Sequence, residues 1–280
     1  MRRLSKVEIA KMTDLYRNGQ SINKISNSFS IDRSTIRYWL SKYSLLRPKT
    51  KLKLDASYFE NLNNKNKCYW IGFLLADGTI GYRYLDTKNG KVRRPKRVNL
   101  TLQSKDESHL KLFKDEINFD GSIKQLTRFD KRYGKTRHHS SLTIVSVPFC
   151  NCLLAKGWDE FKKDGDISIL ERIPSHLLLF TMRGLFDGDG GSIVDKRNQI
   201  MVYFTNKHLS VVRFFQNWLT QKCGLNKTNI FQNSKSKLCR LQYRGNTQGT
   251  SILTYLYSGG GPMLRRKDAR LVLDVDFSDI

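Results

Sequence analysis

The sequence predicts an α+β protein, with two similar α-β-β-α-β-β-α repeats behind a small all-α segment. Three observations predict it. The stretch Trp70-Ile71-Gly72-Phe73-Leu74-Leu75-Ala76-Asp77-Gly78 returns as Met182-Arg183-Gly184-Leu185-Phe186-Asp187-Gly188-Asp189-Gly190. After each copy, apolar residues switch from the helical period of 3.6 to the strand period of 2. Residues 5 to 46 carry helical periodicity only, in three short pieces.

Read as helices, the two copies place small residues one turn apart, Gly72 with Ala76 and Gly184 with Gly188. Such pairs leave a groove into which another backbone can approach, so the two helices are expected to pack on each other. Each copy ends in Asp followed by Gly, the residue expected just past a helix C-terminus. Asp77 and Asp189 then lie at the same end, each opposing the negative end of its helix dipole and each repelling the other. A cationic partner is required.

Composition narrows the partner. The 280 residues include 50 Lys and Arg against 25 Asp and Glu, a net charge of +25, which points to a polyanion. DNA, RNA and an anionic membrane surface would all be served by that charge. The segment Met1-Arg2-Arg3-Leu4-Ser5-Lys6 leads into an amphipathic pattern with no apolar signal region, and the apolar run near Leu177 to Phe180 is too short to span a bilayer. An intracellular protein is expected, in the cytoplasm or in a genome-containing organelle. The five cysteines are odd in number and lack C-x-x-C spacing, so neither a disulfide framework nor a zinc site is supported.

In chain order, Val7, Ile9, Met12, Leu15 and Tyr16 give the first helix an apolar stripe that ends at Asn18-Gly19, and Ser21 caps a second helix to Phe29. After a turn at Ser30-Ile31, Asp32 is placed to cap a third helix. This helix is expected to turn Arg33, Ser34, Thr35, Arg37 and Tyr38 outward, with Ile36 and Trp39 or Leu40 inward. The spacing resembles the DNA-binding helix-turn-helix of resolvases and small regulators, with Ser30 at the usual turn glycine; a plain three-helix packing unit is the alternative. Residues 1–46 thus form the first domain and 47–66 a basic linker, beginning Arg47-Pro48-Lys49-Thr50-Lys51-Leu52-Lys53.

The first repeat takes residues 67–165. Alternation in Arg97-Val98-Asn99-Leu100-Thr101-Leu102-Gln103 gives a strand with one core face and one polar face. Between Tyr82 and Arg97 an insertion carries Arg83, Arg93, Arg94 and Arg97, either a mobile basic hairpin or an arm that grips phosphates. A helix is expected over Asp106 to Ile117, strands over Gly121 to Arg128 and Ser140 to Val147 around a basic loop holding Arg132, and a helix over Pro148 to Lys156. His138 and His139 are adjacent, not at ligand spacing, and read as loop. The second repeat, 166–280, repeats the order: strands at Ser192 to Lys196 and Gln199 to Thr205, a helix from Leu209 to Cys223, strands near Ile230 and over Leu238 to Tyr243, and a helix from Thr250 to Tyr257. Gln199, Met201, Tyr203 and Thr205 share one face; Arg240 and Gln242 lie on the polar face of the later strand.

The paired motifs resemble those of the single-chain LAGLIDADG homing endonucleases: Gly72, Ala76, Asp77 and Gly78 match the first motif, and Gly184, Leu185, Asp187, Asp189 and Gly190 the second. Leu75 stands where the motif's first Asp would be. The resemblance implies a saddle of two pseudo-symmetric sheets over duplex DNA, the motif helices at the interface, and Asp77 and Asp189 as metal ligands together with Gly78 and Gly190. It also implies a basic catalytic residue near the end of each repeat. Lys267 matches in the second repeat, and Lys163 or Lys162 in the first, with Lys163 preferred and a purely electrostatic role its alternative.

The chemistry agrees. Carboxylates without His or Cys suit Mg2+, with Mn2+ able to substitute, and such ions activate water and neutralise phosphate during phosphodiester hydrolysis. Base edges would be read by Asn99, Thr101, Gln103, Gln199, Tyr203, Arg240 and Gln242, with Arg33, Ser34, Thr35 and Arg37 on the helix-turn-helix, and phosphates held by Arg83, Arg93, Arg94, Arg97 and Arg132. The expected function is a site-specific double-strand DNA endonuclease, a monomer on a long asymmetric site. An RNA maturase or a cleavage-dead DNA-binding regulator are the alternatives. Met1 and the Phe277-Ser278-Asp279-Ile280 terminus lack splice-junction residues, so a free-standing protein rather than an intein is expected.

Overall fold

The structure is a computed structural model that describes residues 4–47, 52–87, 90–131 and 134–271. The chain divides into two compact units, Met1–Lys51 and Leu52–Ile280.

The first unit is three helices, α1 (Lys6–Arg17), α2 (Ile22–Phe29) and α3 (Arg33–Lys42). Ser5 and Glu8 form a reciprocal capping box on α1, and Ser21 accepts from the Lys24 amide at the start of α2. Ile9, Met12, Tyr16, Ile25, Ile31, Ile36 and Leu40 make the core. Ser30 occupies the left-handed region at φ 50°, the conformation for which glycine is usual in this turn, and the Ser26 hydroxyl donates to Ile31 O across it. Two expectations are corrected. Asp32 sits at the N-cap of α3 without a side-chain capping bond. Thr35 is buried beside Ile36, one turn before Trp39, which packs on the same core, whereas Arg33, Ser34 and Arg37 are exposed.

The supposed linker is also shorter than expected. Arg47 lies 4.3 Å over the Tyr16 ring and belongs to the helical unit. From Lys53 onward the chain packs on the first repeat: Lys53 N donates to Asp120, Asp55 N to Ile117 O, and Tyr58 and Phe59 are buried.

The first repeat runs α4 (Lys65–Asp77), β1 (Gly78–Thr87), β2 (Gly90–Gln103), α5 (Glu107–Glu116), β3 (Ile123–Asp130), β4 (Lys135–Ile144), α6 (Val147–Ala155), then two short helices absent from the sequence reading, α7 (Trp158–Asp164) and α8 (Ser168–Glu171). The second runs α9 (Leu178–Asp189), β5 (Gly190–Val194), β6 (Ile200–Asn206), α10 (Leu209–Cys223), β7 (Phe231–Gln232), β8 (Cys239–Arg244) and α11 (Asn246–Leu256). Both sheets are antiparallel with equivalent orders, β1-β2-β4-β3 and β5-β6-β8-β7. Register repeats too. Gly78 faces Leu100, which faces Leu142, and Gly190 faces Phe204, which faces Leu241.

In each sheet one face is core, as the alternation requires. Val98, Leu100, Leu102, Leu142 and Ile144 pack under α5 and α6, and Ile200, Val202, Phe204 and Leu241 under α10 and α11, with the Phe204 and Phe215 rings stacked at 4.2 Å. Past a register shift at Gly81/Tyr82, β1 and β2 continue as a two-stranded ribbon carrying Arg83, Arg93 and Arg94. Gln199 falls in the turn before β6, where its amide donates to Asp195, and not in the strand. Arg132 lies outside the described residues.

The two repeats meet at α4 and α9. A Cβ on Gly72 would lie 2.1 Å from Thr181 O, one on Gly184 2.1 Å from Tyr69 O, and one on Gly188 2.2 Å from the Ala76 Cβ. The small residues are therefore the contact itself. Gly78 and Gly190 follow the helices as expected, with φ of −74° and −104°, outside the left-handed region. Close approach explains them instead: a Cβ would meet Leu74 O at 2.6 Å and Phe186 Cδ2 at 2.3 Å, respectively.

Adding one methyl at Gly184 forces backbone against backbone and should lower stability by about 1–3 kcal/mol or more. Gly224→Asn, at a left-handed position with nothing within 4 Å, should stay near wild type. Thermal or urea unfolding measures both; a Gly184→Ala variant as stable as wild type would contradict the helix contact.

Candidate active site

Because α4 and α9 touch at Gly72 and Gly184 and stay in contact a turn later at Ala76 and Gly188, their last residues are brought together. The Cβ position at Gly188 is 3.6 Å from the Asp77 carboxyl carbon, and Asp189 follows directly. Both carboxyls are half-buried. Burial raises the Asp77 pKa, against the opposing charges of Lys267, Lys162 and Arg266. Burial likewise raises Asp189, to about 6; the Asn206 amide, donating at 2.9 Å, and the two lysines work against it, and the Asp77 charge adds to it. The repulsion read from the sequence is present, but desolvation is the larger cause.

Cationic compensation comes from two lysines in equivalent positions. Lys162 Nζ donates to Ala76 O at 2.8 Å, and Lys267 Nζ donates to Gly188 O at 3.0 Å, Gly190 O at 2.7 Å and Phe186 O at 3.5 Å. Ala76 and Gly188 are the same position of the repeated motif, so Lys162 and Lys267 are counterparts. Lys163, the residue preferred on sequence, points away: its ammonium pairs with Asp159 at 2.9 Å on an exposed face. The adjacent residue is selected by α7, whose Trp158 ring lies under the Lys162 ammonium. Burial pulls the Lys162 amine down to about 8, opposed by the charges of Asp189 and Asp77, and burial also lowers Lys267.

The donors here are carboxylate and carbonyl oxygens, the set that suits a hard ion retaining several waters. Among the described residues no group of three or more His, Cys, Asp or Glu converges, so any ion must draw its remaining ligands from carbonyls, water or phosphate. Of the two glycines expected to contribute carbonyls, Gly190 O accepts from Lys267, and Gly78 pairs into the sheet opposite Leu100.

The polar sheet faces hold most of the residues expected to read bases. In the first, Thr143 donates to the Asn99 side chain at 3.0 Å, Thr101 and Ser141 hydroxyls are 2.9 Å apart, and Gln103 stands opposite His139. In the second, Tyr203 is opposite Gln242, and the Arg240 guanidinium lies 4.8 Å over the Tyr203 ring, its Nε buried without a partner among the described residues. Arg97 lies against Gly81; on the ribbon, Arg93 stacks on Tyr82 at 3.4 Å and Arg83 pairs across from Arg94.

Sequence reasoning missed a buried polar network behind the site. Asp187 accepts from the Tyr69 and Tyr257 hydroxyls and the Leu264 amide, each at 2.8 Å. The Tyr69 hydroxyl also sits 2.7 Å from His109 Nε2. Since Tyr69 has one proton and gives it to Asp187, His109 must donate from Nε2. A basic and an acidic residue inside a largely apolar helix, Arg183 and Asp187, were the available signal.

No family model matches the sequence, and no curated protein matches it. Among solved structures, the chain is similar to the I-LtrWI LAGLIDADG homing endonuclease bound to target DNA, at 14% identity and TM-score 0.48, over 80% of this chain and 92% of that one. It is similar to the LAGLIDADG homing endonuclease I-GzeII in complex with a DNA target, at 13% identity and TM-score 0.49, over 76% and 92%. The meganuclease I-SmaMI bound to uncleaveable DNA gives 15% identity and TM-score 0.48, over 76% and 90%. No helix among the described residues is long and apolar enough to cross a membrane.

Burial holds His109 neutral, lowering its pKa to about 4. Its stabilising contribution is fully present above the unfolded value near 6.5 and is lost as pH falls toward 4, because only the unfolded chain then takes up the proton. The stability advantage of wild type over His109→Gln should therefore shrink by about 3 kcal/mol between pH 7 and pH 4. Urea unfolding across that range checks it; a difference independent of pH would contradict the buried neutral imidazole.

Proposed function

We propose that this chain is a site-specific double-strand DNA endonuclease of the LAGLIDADG homing type, dependent on Mg2+ or a similar divalent ion and acting as a monomer. One observation carries the reading: two carboxylates from matching helix ends, Asp77 and Asp189, stand between two counterpart lysines, Lys162 and Lys267. Single capping acids would not require the repeated lysine. Asp77 and Asp189 hold the metal at the seam between repeats, where each repeat addresses one strand. The ion, when bound, supplies an activated water and neutralises the phosphate charge that grows as water replaces one ester oxygen on phosphorus. Lys162 and Lys267 contribute positive charge beside that phosphate, and a Lys162 amine near 8 can release or accept a proton close to neutral pH.

The sheet faces supply the rest of the interface. Asn99, Thr101 and Gln103 in one repeat, and Tyr203, Arg240 and Gln242 in the other, would meet base edges in the major groove of a long, asymmetric duplex site. The ribbon arginines, Arg83, Arg93, Arg94 and Arg97, would hold phosphates. Arg33, Ser34 and Arg37 on α3 form the exposed edge of a second DNA reader. Such a protein works where the genome is, in the cytoplasm or an organelle that holds DNA. Retention of both carboxylates and both lysines argues against a regulator that has lost cleavage.

Target sites selected from a randomised duplex library in Mg2+ provide the substrate for the test. Asp77→Asn and Asp189→Asn should each reduce cleavage on the order of a hundredfold or more, with DNA binding retained in gel shifts. Lys162→Met should follow them and Lys163→Met should resemble wild type. Full cleavage by either Asp variant, or preference for RNA with no duplex cut, would reject the reading. Removing residues 1–46 should weaken binding and selectivity while leaving metal-dependent cutting at high enzyme concentration; unchanged affinity and selectivity would show that the helical unit does not read DNA.

A further inference from the structure

The chain between α11 and Lys267 has little to hold it in place by itself. Gly259, Gly260 and Gly261 are consecutive left-handed residues with φ of 75°, 65° and 92°, the residue type with the greatest backbone freedom to lose. Its path is imposed from α9. Arg183, fully buried, donates from Nε to Leu256 O at 2.5 Å, from Nη1 to Gly260 O at 2.6 Å and Pro262 O at 3.5 Å, and from Nη2 to Ser258 O. One turn later on the same helix, Asp187 accepts the Leu264 amide. Arg266 then donates two hydrogen bonds to the Asp106 carboxylate, each at 2.6 Å, and the Ser192 hydroxyl donates to Lys267 O. Lys267 is the next side chain, and it turns back onto the end of α9.

We propose that Arg183 and Asp187 are positioning residues that clamp the 256–267 segment and thereby hold Lys267 at the site. Five backbone groups of that segment end on these two side chains. The helix that carries Asp189 thus also fixes the lysine beside it, and the distance between carboxylate and ammonium is set by one rigid element. The clamp exists in one repeat only. At the matching positions of the first motif stand Ile71 and Leu75, both apolar and buried, and Lys162 is delivered by α7. Loosening the clamp should therefore impair one of two cleavage centres and leave the other.

The inference rests on the endonuclease reading for its catalytic consequence but not for the clamp itself, so two measurements on the full chain separate them. Acetic anhydride labelling with peptide mass spectrometry reads the exposure of each lysine amine. In Asp187→Asn, which keeps the shape of the acceptor and weakens its charge-assisted bond to the Leu264 amide, Lys267 should label roughly tenfold faster while Lys162 is unchanged. Equal labelling of Lys267 in wild type and variant overturns the clamp whether or not the protein cuts DNA. On supercoiled plasmid bearing the selected site, Asp187→Asn should accumulate nicked circles, as Lys267→Met does, and the double variant should be no slower than Lys267→Met alone. Linearisation at the wild-type rate, or additive losses in the double variant, overturns the role through Lys267. Arg183→Lys, which retains charge but cannot reach all the carbonyls, carries the same two measurements if Asp187→Asn does not fold. Failure of the wild type to cut any duplex would instead refute the endonuclease reading, and the labelling result would still decide the clamp.

Discussion

Everything at the site depends on one steric fact: α4 and α9 touch through backbone atoms at Gly72 and Gly184. No side chain separates them there, so the helices run close enough for Ala76 and Gly188 to meet a turn later. The acids that follow are then forced into one half-buried space. The placement of their Cα atoms is set by main-chain contact, which is the kind of rigidity an ion or phosphate site requires. A single extra methyl in this seam would disturb both sheets, because each motif helix leads directly into the first strand of its own sheet.

That closeness creates an electrostatic problem, and the surrounding structure is arranged to relieve it. Desolvation raises both carboxyls, and two ammonium groups, half-buried Lys162 and buried Lys267, work against that rise. The lysines are in turn held by the carbonyls at the helix ends, where the macrodipole is negative. The same helix ends therefore carry acids, which they disfavour, and bind cations, which they favour. An incoming metal and a DNA phosphate would enter a site already balanced between these charges.

Much of this was readable without coordinates, and the failures have specific causes. The motif repeat gave away the helix pair through its small residues, and period-2 alternation identified the inner and outer faces of β2, β6 and β8, because a strand buried on one side leaves that mark. The helix α10 matched its expected bounds, Leu209 to Cys223. What failed were choices between neighbours. Lys162 and Lys163 are equivalent in sequence, and only the orientation of α7 over Trp158 tells which one turns inward. Thr35 looked like a surface residue because it is polar, yet the third helix buries it next to Ile36 and Leu40. The Arg183 and Asp187 network was missed for a different reason: apart from the Tyr69 hydroxyl its partners lie 70 or more positions later in the chain, most of them backbone groups, and no local pattern names them.

The most direct test of the account is to locate the ion. Crystals of the full chain with its selected duplex, grown with Mn2+, should show anomalous density bound by the Asp77 and Asp189 carboxylates and a DNA phosphate, with the Lys162 and Lys267 ammonium groups on either side. Density held by other residues, or none at these two carboxylates while the duplex is bound, would contradict the claim that the helix pair exists to build a shared metal site.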